Sequence, residues 1–111
     1  MTSHNEIREI MLTEKMLKSL PAQPAVYAIF IRQEEGPETD FCIFTGCTIN
    51  LKHTIARHFF IFEPNLELRR YMSDETLKYL RYETFAKPDY DRLLETQAKW
   101  AKKYKPKIKP L

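Results

Sequence analysis

The sequence predicts a small α+β domain: a three-stranded antiparallel sheet flanked by helices, in the order α-β-β-α-β-α. Three observations lead there. The chain has 111 residues, room for one domain and one modest core. Ala25-Val26-Tyr27-Ala28-Ile29-Phe30-Ile31 is apolar at every position and rich in β-branched and aromatic residues, which predicts a central strand covered on both faces. Elsewhere, apolar residues recur at helical spacing and the stretches end at prolines.

Residues 4–20 read as the first helix. Ile7, Ile10, Met11, Leu17 and Leu20 form a loose stripe, and Pro21 and Pro24 close it. This divides the chain into an N-terminal helix at 1–21 packed on a single domain at 22–111, which ends in a basic helix and tail. After the central strand, residues 32–40 contain Gly36-Pro37 and read as a turn. Phe41 to Thr45 makes the second strand, so the two strands form an antiparallel hairpin. Gly46 ends that strand where the backbone turns tightly. Thr48 or Asn50 then caps a helix running to about Phe60, with Leu51, Thr54, Ile55, His58 and Phe62 on one side. Residues 66–76 favour neither state. Leu77 to Phe85 reads as the third strand. Pro88-Asp89 opens a last helix to Tyr104, whose buried stripe is read as Tyr90, Leu94, Gln97, Ala101 and Tyr104.

Composition excludes several function classes. With only Gly36 and Gly46, the chain has no glycine-rich phosphate cradle and no dinucleotide fingerprint. The longest apolar run is far too short to span a membrane, and the N-terminal MTSHNEIREIM is charged where a signal peptide is apolar. The expected location is the cytoplasm, with Cys42 and Cys47 reduced and structural. No Cys/His cluster has zinc spacing, so no metal is expected from that source. The net charge of +3 is low for a bulk electrostatic binder. It hides a basic C-terminus, however. Lys99, Lys102, Lys103, Lys105, Lys107 and Lys109 outnumber the whole net charge, so the rest of the chain sums to −3.

Four motifs in order then resemble the GIY-YIG nuclease superfamily. They are Ala25-Val26-Tyr27 after Pro24; Phe44-Thr45-Gly46; Asn50-Leu51 leading to Arg57-His58-Phe59; and Gln97 leading to Tyr104 and Pro106. Together they cover about residues 22–107. The resemblance implies a metal-dependent nuclease architecture in which Tyr27, Phe44, Gly46, Thr54, His58 and Gln97 occupy the motif positions. In the family, the second tyrosine handles the attacking water, the helix arginine answers phosphate charge, and the glutamate holds a divalent metal. Here those positions read Phe44, Thr54 and Gln97. Phenylalanine has no hydroxyl to donate or accept. Threonine brings no charge to a developing phosphorane. Glutamine lacks the negative charge that a hard Mg²⁺ ion seeks.

The expectation is therefore a catalytically degenerate domain with no cofactor, acting by noncatalytic nucleic-acid binding or as an accessory to a nucleic-acid process. DNA or RNA is the implied partner, contacted by Lys52, Arg57, Lys99, Lys102, Lys103 and Lys105. Two alternatives stand beside it. One is an active nuclease using Mg²⁺ at a shifted site of Tyr27, Arg57, His58 and Glu95, although helical geometry turns Glu95 about 200° from Gln97. The other is a protein–protein interaction module. Each residue also has a plain packing role: Tyr27 as a bonded core tyrosine, His58 as a half-buried helix histidine, Gln97 as a self-satisfied amide. Phe59, Phe60 and Phe62 read as packing. Tyr71, Tyr79 and Tyr82, interleaved with Arg69, Arg70 and Arg81, read either as a half-exposed strand pattern or as a nucleic-acid surface.

Overall fold

The computed structural model describes residues 6–32, 40–59, 63–74 and 76–108. Its core is set by β2 (Ala25–Arg32), whose residues are buried all along until Arg32. A strand apolar on both faces must lie inside a sheet covered on both sides. β2 pairs antiparallel with β3 (Asp40–Thr48) on one side and with β4 (Leu77–Thr84) on the other. A fourth strand, β1 (Arg8–Met11), pairs antiparallel with β4, giving the order β1-β4-β2-β3. The sheet is antiparallel and flanked by helices, as expected, but it has four strands rather than three.

The extra strand comes from the predicted N-terminal helix, and there the expectation is corrected. Residues 8–11 form β1, and Glu14–Ser19 form a short 3-10 helix capped by the Thr13 side chain. The supposed helical stripe does not face one way: Ile7 and Met11 are exposed while Leu20 is buried. β4 would otherwise carry an unpaired edge along its length. The ladder to β1 satisfies those backbone groups, and this outweighs weak local propensity.

Helices cover both faces. α1 (Leu51–His58) and α2 (Leu66–Ser73) are capped by the side chains of Asn50 and Asn65. α2 fills the stretch that favoured neither state. With the 3-10 segment they close a core of Tyr27, Ile29, Ile43, Leu51, Ile55, Leu68 and Leu80. On the opposite face, α3 (Tyr90–Tyr104), capped by Asp89, closes a second cluster of Val26, Ala28, Phe30, Cys42, Leu93 and Trp100.

Two details of the sequence reading shift. The buried side of α3 carries Leu93 and Trp100, whereas Tyr90 and Leu94 are exposed at 60% and 56%. The bulk of Trp100 turns the helix by about one position, which leaves Gln97 and Tyr104 half-buried at its margin. And β3 does not stop at Gly46 but pairs on to Thr48, with Tyr27 opposite Gly46 and a bulge that skips Ile43. The predicted Gly36-Pro37 turn, Phe60, Phe62 and Lys109 lie outside the described residues. Cys42 and Cys47 are free thiols, and burial pushes Cys42 up to about 11. Among the described residues no helix is long and apolar enough to cross a membrane.

Beyond α3 the chain turns back. The Lys107 and Ile108 amides donate to the Cys42 and Ile43 carbonyls at 3.1 and 2.9 Å, so the basic tail covers part of the β3 edge.

Candidate functional site

The motif positions gather at one cleft of about 470 Å³. β2 supplies Tyr27. β3 supplies Phe44, Gly46 and Thr48. α1 supplies Thr54, Arg57 and His58, and α3 supplies Gln97. The cross-strand pair explains the glycine. A Cβ on Gly46 would lie 2.6 Å from Tyr27 Cζ and Oη, so the tyrosine ring lies flat across a position only glycine leaves open. Close approach, not a tight turn, is what Gly46 provides.

A buried polar chain runs behind the cleft. Tyr27 Oη lies 2.9 Å from His58 Nε2, and His58 Nδ1 contacts Glu63 Oε1. Glu63 Oε2 accepts the Asn65 amide at 2.7 Å. All three side chains belong to residues only 3% exposed. A carboxylate can only accept, so the proton of the neutral imidazole sits on Nδ1, and Nε2 accepts from the tyrosine. Burial pushes the Tyr27 phenol far above its usual range, and the nearby Arg57 charge only partly opposes this. Tyr27 is thus held as a neutral hydrogen-bond donor to His58. Sequence reasoning missed Glu63. Its only signal is an acid set between an apolar run and a proline, in Phe62-Glu63-Pro64.

Burial also holds His58 below its ordinary value, against the pull of Glu63. The unfolded chain therefore binds a proton at His58 that the folded chain resists, and stability rises with pH across that window. The contribution is complete above the ordinary histidine value of 6.5 and fades as pH falls toward the lower folded value. Thermal melts should show the midpoint dropping between about pH 7 and about pH 5, and His58→Gln should flatten that slope. A midpoint that held steady or rose on acidification in the wild-type protein would contradict this assignment.

Phe44, Thr54 and Gln97 make neutral contacts. The Phe44 ring stands 6.1 Å from that of Tyr27 and 5.5 Å from His58. Thr54 Oγ1 shares a hydrogen bond with Thr48 Oγ1 at 2.7 Å. The Gln97 amide donates to the Thr45 carbonyl at 3.4 Å. Glu95 takes no part: it is exposed and pairs with Lys99 at 3.8 Å, which removes the carboxylate from the shifted site considered above.

The predicted cations divide. Arg57 lines the cleft, while Lys52, Lys99 and Lys102 are exposed on helix surfaces away from its lining, and Lys103 and Lys105 line a second pocket. The N-terminus of α1 is closed to an anion, since its first amides donate to Gln23 O, Pro21 O and Asn50. The Tyr/Arg interleaving on β4 is internal packing. Arg81 stacks on Phe30 at 4.2 Å, Arg32 on Tyr79 at 4.0 Å, and Tyr82 is buried.

No known family profile matches the sequence, and no curated protein does. Solved structures do match. A point-mutant form of the GIY-YIG N-terminal endonuclease domain of UvrC from Thermotoga maritima, bound to its catalytic divalent cation, aligns over 90% of this chain and 100% of its own, with 20% identity and a TM-score of 0.59. The magnesium-bound form aligns over 89% of this chain and 100% of its own, with 22% identity and a TM-score of 0.57. The donor set here does not fit such an ion. Among the described residues Glu63 is the one carboxylate lining the cleft, and both its oxygens are taken. No group of three His, Cys, Asp or Glu among the described residues is arranged to hold a metal. With the strand order, the convergence of the motif positions on one cleft and the alignment over nine-tenths of the chain, the chain has the GIY-YIG domain fold.

Proposed function

We propose that this GIY-YIG-type domain binds nucleic acid at the cleft formed by β3, α1 and α3 and does not cut it. One observation carries the reading. Phe44, Thr54 and Gln97 converge on the cleft, and each lacks the group that phosphodiester cleavage in this fold would ask of it. Loss of one such group typically costs on the order of 10²–10³ in rate, and the losses act on one unit. Arg57 remains at the cleft as an exposed cation able to meet a phosphate.

The test pairs binding with cleavage. A short labelled DNA duplex and its RNA counterpart should be retarded in a gel shift that weakens with salt, and Arg57→Ala should weaken it further. Supercoiled plasmid should stay intact with Mg²⁺ or Mn²⁺. Nicking that disappears in Tyr27→Phe would overturn the noncatalytic reading, and no retardation of either probe at low salt would overturn the binding reading. The combined variant Phe44→Tyr, Thr54→Arg, Gln97→Glu should gain plasmid nicking if the cleft geometry is nuclease-like.

A further inference from the structure

A second pocket of about 340 Å³ opens where α3 ends against β3. Arg81, Lys103, Lys105 and Lys107 line it with one carboxylate, Asp40. That carboxylate is already neutralised. Arg32 grips both its oxygens at 2.6 and 2.8 Å and holds it below the usual carboxylate range. Among the described residues, none of the three lysine ammonium groups pairs with a carboxylate. Lys107 instead rests over Phe41 at 4.5 Å and Lys103 near Tyr104 at 5.2 Å.

The backbone holds these cations in place. Lys105 is the only non-glycine residue with positive φ among the described residues, at φ 49° and ψ 64°. Stability alone favours glycine at such a helix cap. The turn it makes lets Lys107 and Ile108 bond to the edge of β3, and Ile108 is buried. Lys103 and Lys107 therefore leave a fixed backbone segment beside the rings of Tyr104 and Phe41. Arg81 is already paired with Glu9 at 2.7 Å, so the charge left for an anion is that of the three lysines, which outweighs the roughly half charge at the carbonyl end of α3.

From this geometry we infer that the pocket binds a phosphate group. It goes beyond the cleft reading and stands if that reading fails. The phosphate could belong to a nucleic-acid strand or be free, and the experiment separates the two. Amide shifts of residues 103–108 are followed by NMR while inorganic phosphate, and separately a short single-stranded oligonucleotide, is titrated into the full chain. Both ligands should move those amides. Lys103→Gln with Lys107→Gln should weaken oligonucleotide binding about tenfold and reduce the salt slope by roughly 1.4. The matched pair Lys99→Gln with Lys102→Gln, on the exposed helix surface, should change binding far less. Shifts with inorganic phosphate alone would support the pocket and assign it to free phosphate. Arg57→Ala should leave these shifts intact, so a failed cleft and a failed pocket look different. Unmoved amides with both ligands, or equal losses from the two lysine pairs, would overturn the inference.

Discussion

Glu63→Ala is expected to destabilise the domain by about 3–4 kcal/mol, the larger of the effects predicted for single side-chain removals. Two donors lose their acceptor at once. The His58 Nδ1–H is left buried with nothing to meet it, and the Asn65 amide loses the bond that sets the entry to α2. Freed from the carboxylate, the imidazole has no fixed tautomer, so its bond to Tyr27 weakens as well. Domains of this size have roughly 5–15 kcal/mol in hand, and at about 2.1 cal/mol/K of unfolding entropy per residue the melting midpoint should fall by about 13–17 °C. Glu63→Gln is the informative control. Its amide oxygen still accepts one of the two bonds, and the loss should be about half as large. If alanine and glutamine variants both melt within a degree or two of wild type, the buried chain is not a structural tie.

That result would also bear on chemistry. With its proton donated to Nε2 and its pKa raised by burial, Tyr27 serves the fold before it serves any reaction. The same residues that resemble a catalytic motif are those that seal the joint between β2, α1 and the approach to α2. This explains how the cleft is held together with Phe44, Thr54 and Gln97 in its wall. Each of them has found a neutral partner at that place.

How far the sequence could be read follows from the range of each force. The central strand was legible because seven consecutive apolar residues have few alternatives, and α3 because Asp89 caps it and Lys105 to Pro106 end it. β1 was not. Its residues carry no strand pattern of their own, and only the open edge of β4 gives them a partner. α2 lacked a signal for a similar reason: Leu68 and Met72 are its only buried residues. In the site, the motif positions were legible by their order along the chain. Glu63 was not, since its contact with His58 is set by the folded structure and matches no motif spacing. The interleaved Tyr79 and Arg81 stayed open between two readings, because a sequence cannot tell an arginine stacked on its own sheet from one waiting for a base.

Gly46→Ala should cost about 2–3 kcal/mol although it adds a single methyl group. The added carbon would sit 2.6 Å from both Cζ and Oη of Tyr27 and 3.0 Å from Cε1. The ring cannot retreat. His58 holds its hydroxyl, and the Phe44 and His58 rings flank it at 6.1 and 5.8 Å. Either β3 must bow away from β2 in the middle of their ladder, or the Tyr27–His58 bond must break. No positive φ is involved, so backbone strain at residue 46 is not the cause. A double-mutant cycle isolates the steric term. In a Tyr27→Leu background the short contact is gone, and the cost of Gly46→Ala should fall below about 1 kcal/mol, a coupling of at least about 1 kcal/mol. Denaturant melts of the four proteins measure it. Equal costs in the two backgrounds would mean that the glycine answers to something other than the tyrosine lying across it.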